Sequence, residues 1–382
     1  MIRKIINIWL LILLLMFLSS CWDINESDRM DYVYSVGIDY EDNRVTIYLQ
    51  LVNLSSLGTP EITSEAESRV VIATASANTI SEAIHEIYQS AQQRLYLGHN
   101  TSVVLTEAAL KHGKLKEAID LANRFPETRY RMNMFATKDN ITDLYKTTTL
   151  FQDSPILTRI TDLENIYEQS SRIKNLSLRE LIIHLDEPSY EVAIPVIAAE
   201  KKVWKTENED LIMIKDIGVA LVTADEFKGF LIDDDMKGLR WTVHSNRNNV
   251  TLYEGNRPIG EIIVIRPKQK YTIHSQGNSL QFEMNITARA MLNEVIEDIS
   301  EKEIIQLVEE QIEEEVMRTY TKALQQNSDI YRLSEKVYRR QLKTWNKLHI
   351  DGIIPLTEES LIVKVDIELV DSGIDKTNPT VE

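Results

Sequence analysis

A chain of 382 residues is too long for one ordinary apolar core, so two or three domains are expected, and a composition 43% hydrophobic and 26% charged is that of a folded protein rather than a disordered one. The formal charge of −17, from 59 acidic and 42 basic residues, repels phosphate backbones, and no basic stripe relieves it, so nucleic acid is excluded as a partner. Cys21 is the single cysteine, which rules out an intrachain disulfide, a cysteine-built zinc site and any second catalytic thiol.

The chain opens with a basic start, Arg3 and Lys4, and an unbroken apolar run, Ile8–Leu18. That run is shorter than the ~18–20 residues of a spanning helix, and small residues follow it, so residues 1–20 are expected to be an export signal. Leu18-Ser19-Ser20-Cys21 fits the bacterial lipobox: an aliphatic residue, two small residues, and a cysteine that takes a diacylglyceryl group and becomes the first residue after cleavage. An uncleaved anchor, or an ordinary signal with an incidental cysteine, are the alternative readings. One acyl chain holds only marginally whereas two hold stably, at ~0.8 kcal/mol per buried methylene. Residues 21–31 then make a lipidated tether whose polar stretch, Asp23–Asp31, cannot enter the bilayer.

Residues 32–204 are expected to form an N-terminal α/β region of one or two lobes. Tyr32–Asp39 and Val45–Asn53 read as strands across a tight turn at Glu41–Asn43, and Val70–Ala75 as a third. Thr79–Arg94 places Ile80, Ala83, Ile84, Ile87, Tyr88 and Ala91 on one helical face behind a capping box, Thr79 with Glu82. Val103–Thr106 returns as strand, Glu107–Asn123 is helical in pattern despite Gly113, and Met132–Thr137 is strand. Asn140–Lys146 and Ser177–Asp186 read as short helices, and Val192–Ala199 as a last strand whose Pro195 suggests an edge or a bulge.

The polar stretch Lys205–Asp210 is the expected boundary, followed by a C-terminal α+β domain over 211–373 and a frayed tail over 374–382. Ile217–Val222 and Gly229–Ile232 read as short strands. Leu280–Ala290 alternates apolar and polar residues, as a half-buried antiparallel strand does. Glu294–Gln325 is the longest helix, with Ile304, Val308, Ile312 and Val316 along one side and acids along the other. A helix over Ile330–Asn346 turns Ile330, Leu333, Val337 and Trp345 inward, and Leu361–Leu369 closes the domain as strand. The fold class is α+β: a multi-lobed ectodomain of mixed or antiparallel sheets with flanking helices.

Chemistry is sparse. Seven histidines are scattered without an HExxH or other close pair, and there is no GxSxG, P-loop or GxGxxG, so no catalytic residue and no metal site is assigned. Asp233–Gly238 (DDDMKG) lacks the alternate spacing and terminal glutamate of a calcium loop and reads as a turn. The sequence contains no feature of an enzyme.

In order along the chain, these features resemble the Ger(x)C spore germination lipoproteins, the C subunits of GerA-type nutrient germinant receptors. Cys21-Trp22-Asp23 is similar to the family's lipidated CWD start, and Gly37-Ile38-Asp39 to its GID. Thr79–Ile84 with Leu95–His99, containing Gly98 and His99, resembles its helix-to-strand segment. VAIPVI, GLRW ending at Trp241, and SDIY…LKTWNKL with Asp329, Ile330 and Trp345 fall where similar sequences have them. Three departures stand out: Glu26-Ser27 for Glu-Leu, Tyr331-Arg332-Leu333 for a turn that commonly contains Gly, and Leu342 where a Pro often precedes the Lys–Trp segment.

The resemblance implies a three-lobed ectodomain from an endospore-forming Gram-positive organism, lipid-anchored through Cys21 on the outer face of the spore inner membrane. It implies membrane-spanning A and B subunits as partners and no cofactor beyond the covalent lipid. Trp22 and Asp23 are the membrane-proximal motif, because an indole favours the interface and a carboxylate avoids the core. Gly37, Asp39, Gly98, His99, Trp241 and Trp345 are its structural motif residues. Direct binding of a small-molecule germinant is left open. A nutrient-capturing lipoprotein and a lipid-anchored envelope hydrolase are the competing readings.

Overall fold

The computed structural model describes residues 2–7, 9, 30–52, 70–147, 158–160, 173–207, 210–243, 247–276, 279–297 and 299–370. The expected lipobox, Cys21, Trp22, Asp23 and the C-terminal tail lie outside the described residues. Among those described, no helix is long and apolar enough to cross a membrane.

The first sheet begins with the expected hairpin, β1 (Met30–Glu41) and β2 (Arg44–Val52). Asp42 and Asn43 both take positive φ, 52° and 62°, as a two-residue turn matched to strand twist requires. β3 (Val70–Ala77) pairs with β2, and helix α1 (Ile80–Ser90) follows. Thr79 caps α1 by accepting from the Glu82 amide at 3.1 Å, and Ile80, Ala83, Ile84 and Ile87 are its buried residues. The helix stops four residues short of Arg94 because Arg94–Tyr96 is itself a strand, β4, parallel to the start of β1.

β5 (Ser102–Thr106) and β6 (Asn133–Thr137) continue the sheet in parallel with β1. The span expected as one helix between them is two, α2 (Glu107–Lys111) and α3 (Lys114–Arg124). Gly113 divides them at φ +69°, a left-handed conformation that glycine adopts freely. Helix α4 (Ile141–Tyr145) follows β6, and α5 (Leu178–Asp186) begins at a complete capping box of Ser177 and Glu180.

β7 (Val192–Lys205) runs 14 residues and is an interior strand, between β6 and β8 (Asp210–Val222). Pro195 is tolerated because pairing with β6 starts only at Val196, and a bulge in the pairing with β8 falls between Val196 and Ile197. The edge reading of Pro195 is therefore corrected and the bulge is found. Lys205 of β7 pairs with Asp210 of β8, and the sheet continues to β9 (Phe227–Ile232). The order is β3-β2-β1-β5-β6-β7-β8-β9, with β4 beside β1. Alternation along β5 covers both faces: Val103 and Leu105 enter a core under α1 to α3 and α5, while Val104 joins Phe135, Ile141, Leu144 and Tyr145 on the other side.

A 3₁₀ segment, Asp233–Trp241, leads into the second sheet, so DDDMKG is the first part of a helical turn that ends by burying Trp241. β10 (Asn248–Glu254), β11 (Arg257–Gln276), β12 (Ser279–Val295) and β13 (Leu361–Leu369) pair in that order. β12 is antiparallel to β11 but parallel to β13, so this sheet is mixed. Helix α6 (Glu301–Leu324) starts seven residues later than expected because Glu294 and Val295 belong to β12. Its Ile304, Val308, Ile312 and Val316 are fully buried in the C-terminal core. The last helical span divides at Gln341 into α7 (Leu333–Arg340) and α8 (Leu342–Leu348). The architecture is mixed α+β, with two mixed sheets and three apolar cores.

The 3₁₀ segment is fastened to α6 through Glu315. Its carboxylate accepts two bonds from the Arg240 guanidinium, at 2.7 and 3.0 Å, and one from Trp241 Nε1 at 2.8 Å. Gly238 permits this approach: a Cβ there would lie 2.4 Å from the Tyr331 hydroxyl and 2.7 Å from the Glu315 carbonyl. Glu315→Ala strands a buried guanidinium and an indole N–H, and is expected to cost about 3–5 kcal/mol in urea unfolding. Glu314→Ala on the exposed side is expected to change stability by less than about 0.5 kcal/mol.

Candidate functional site

The motif residues do not converge on one centre; each sits at a joint between elements. Gly37 of β1 lets α4 onto the sheet, since a Cβ there would be 2.6 Å from Ile141 Cγ2. Beside it Ser35 shares a 2.7 Å hydrogen bond with the fully buried Tyr145 hydroxyl, and burial holds that phenol well above its usual range. Asp39 Oδ1 accepts from the Tyr40 amide and the Thr106 hydroxyl, and Thr106 accepts in turn from the Ala109 amide as N-cap of α2.

Gly98 lies under the Tyr96 side chain, 2.4 Å from the Tyr96 hydroxyl to where a Cβ would be. His99 stands among Tyr32, Tyr34 and Tyr96, with ring centroids at 4.9, 6.3 and 5.5 Å. Burial, then the charge of Arg129, holds its imidazole below the ordinary range, and its Nδ1 has no hydrogen-bond partner. A histidine kept neutral among tyrosines and without an acid or nucleophile beside it is a packing element.

A buried polar cluster that the sequence did not point to joins the two halves of the chain. Glu191, directly before β7, is only 5% exposed. It pairs with Lys228 and accepts from Ser328 Oγ and the Asp329 amide, both at 2.5 Å. Burial pushes its carboxyl up, and the bonds from Lys228 and Ser328 oppose that. Asp329 extends the grip: its carboxylate accepts from the Leu333 and Ser334 amides at 2.8 and 2.6 Å, capping α7.

Three further contacts widen this seam. Trp345 Nε1 donates to Ser189 Oγ at 2.7 Å, and its ring stacks on His349 at 3.8 Å. Arg332 donates to the Tyr190 hydroxyl and lies 4.7 Å over that ring, whose other neighbour is His184 at 4.1 Å. Arg339 pairs with Glu187 at 2.9 Å. Two of the three sequence departures fall here and have structural explanations. Arg332 is left-handed, φ 55°, the conformation a glycine would take without strain. Leu342 is the first residue of α8, the one helical position where Pro loses nothing.

Among the described residues no group of three His, Cys, Asp or Glu side chains could hold a metal. An open groove of about 520 Å³ lies beside Lys237, Arg240 and Arg247, but its floor is the Arg240–Glu315 pair, already saturated by internal bonds.

Two family descriptions match the chain: "Spore germination protein N-terminal domain" over residues 23–199, and "Spore germination B3/ GerAC like, C-terminal" over residues 217–373. Spore germination protein KC of Bacillus subtilis (strain 168) is 21% identical over 368 residues, covering 91% of this chain and 90% of that protein. Putative spore germination protein YfkR of the same organism is 21% identical over 282 residues, covering 73% of this chain and 71% of that one. The crystal structure of the GerBC protein shares the fold, with a TM-score of 0.51 at 17% identity over 87% of this chain and 96% of that one.

Lys336 supplies a pH handle on the seam. Its ammonium donates to the Tyr331 and Arg332 carbonyls at 2.6 and 3.2 Å and sits 4.1 Å over the Tyr271 ring. Burial, then the Arg332 charge, lowers it from 10.5 to about 8, against the opposing pull of Asp329 and Glu335. Between those two values the unfolded chain binds the proton that the folded chain has lost, so stability rises with pH across that window. Relative to Lys336→Met, the wild type is expected to gain on the order of 3 kcal/mol from pH ~7 to ~10.5, seen as a rising urea midpoint.

Proposed function

The chain belongs to the Ger(x)C family of spore germination proteins, and we propose that it is the lipid-anchored, non-enzymatic C-type subunit of a nutrient germinant receptor. In this reading it is held by Cys21 on the outer face of the spore inner membrane and docks on membrane-spanning A and B subunits. The observation that carries it is the order and extent of the two matched regions, the first starting at residue 23, directly after Cys21-Trp22, and the second ending at residue 373. The family match therefore begins directly after the expected lipid attachment.

The joints described above fit a subunit whose work is to hold a fixed shape between partners. A buried seam such as that around Glu191 fixes one half against the other, as a subunit that holds a shape between partners requires. Trp22 and Asp23 set the height of the body above the bilayer, the indole at the interface and the carboxylate outside it.

Replacing Cys21 by Ala tests the anchor. The expected result is release of the protein from the membrane fraction, together with a severe loss of nutrient-triggered germination. Full membrane retention with an undiminished response would sink the anchored-subunit reading.

A further inference from the structure

We propose that the rim formed by the N-terminal ends of β1, β4 and β6, carrying Arg129, Tyr130, Arg131 and Arg179, is a docking surface for anionic phospholipid headgroups. The proposal rests on the lipid-anchored reading above and adds to it the face that meets the bilayer.

Four segments meet at this rim. Met30 and Tyr32 of β1 pair with Arg94 and Tyr96 of β4, while Asn133 opens β6 beside Ser102 of β5. The connection into β6 passes through Arg129, Tyr130 and Arg131, all exposed, and the Tyr130 carbonyl accepts from the Arg179 amide at 2.9 Å. Arg129 is close enough to act on His99, which ties this connection to the Tyr32, Tyr34 and Tyr96 cluster.

Charge singles the rim out. A protein carrying −17 is repelled by an anionic surface except where its local charge is reversed. Here the acids Glu127, Asp120 and Glu180 are taken up by Arg94, Arg124 and Lys174. Arg129, Arg131 and Arg179 form no ion pair among the described residues, and Asp31 at the start of β1 is the acid nearest them in the β1 sequence described. Guanidinium groups bind phosphate oxygens well, and tyrosines favour the headgroup level; Tyr130 is 44% exposed among them.

Reach points the same way. Met30 is nine positions after Cys21, a span of at most about 30 Å. Another exposed group that combines an aromatic with basic residues, Trp204 with Lys201, Lys202 and Lys205, is at the opposite end of the first sheet. Val196 of β7 is in register, through Ala136 and Leu105, with Ile38 of β1. From that level β7 runs on to Lys205 while β1 runs back to Met30, a separation of roughly 55 Å along the strands. Met30, nine positions after Cys21, lies at the arginine rim, and the β7–β8 hairpin extends from the opposite end of the sheet.

The test uses the mature, lipidated full chain in vesicles of phosphatidylglycerol and phosphatidylethanolamine. Because Cys21 is the single cysteine and carries the lipid, a cysteine introduced by Thr128→Cys or Val203→Cys is the one free thiol for a fluorophore. With a headgroup-labelled quencher lipid, the probe at 128 is expected to be quenched several-fold more than the probe at 203. About 0.5 M salt, phosphatidylcholine vesicles, or combined Arg129→Glu, Arg131→Glu and Arg179→Glu are each expected to reduce that difference. Lipidation of Cys21 seen by mass spectrometry, with equal quenching at 128 and 203, would overturn the rim proposal alone. Absence of the lipid would overturn the anchored reading and the proposal with it.

Discussion

The buried carboxylate of Glu191 is the centre of the seam between the two halves of the molecule. It stands where the first sheet enters its longest excursion, β7 and β8, and it is bonded to Lys228 of β9 and to the Ser328–Asp329 turn after α6. Burying an acid costs several kcal/mol unless its lone pairs are filled, so a Glu at this position constrains every neighbour. Lys228 must approach it, the turn must offer an amide, and Asp329 is then aimed to cap α7. Trp345 and Arg332 close the seam on Ser189 and Tyr190.

The motif residues acquire a common meaning from this arrangement. Gly37 and Gly98 remove atoms where a helix or a tyrosine must come close, and Asp39 locks a strand end to a helix start. Trp241 and Trp345 each place an indole N–H on a partner from another element, Glu315 and Ser189. These are devices for fixing relative positions, spread over both halves and converging on no reaction centre.

Much of the fold was legible where the pattern is local. The β1–β2 turn, the cap at Thr79, the alternation of β12 and the spacing-four stripe of α6 depend on residues a few positions apart. What was not legible depends on distant partners. β4 is three residues whose strand character comes entirely from β1. β11 carries Pro258, Pro267 and several charges, which hide a 20-residue strand that bulges past Pro267. Glu191 gave no signal because its partners lie 37, 137 and 138 residues away. The same holds for the parallel pairing of β12 with β13, which alternation cannot distinguish from antiparallel.

If the two halves act as one body between membrane and partner subunits, they must also unfold as one. Differential scanning calorimetry of the wild-type protein is the most direct measurement, with the ratio of calorimetric to van't Hoff enthalpy as its readout. The account predicts one cooperative transition with a ratio of about 1, resolved into two separate transitions by Glu191→Ala. Two independent transitions in the wild type, or an unchanged single transition in Glu191→Ala, would contradict it.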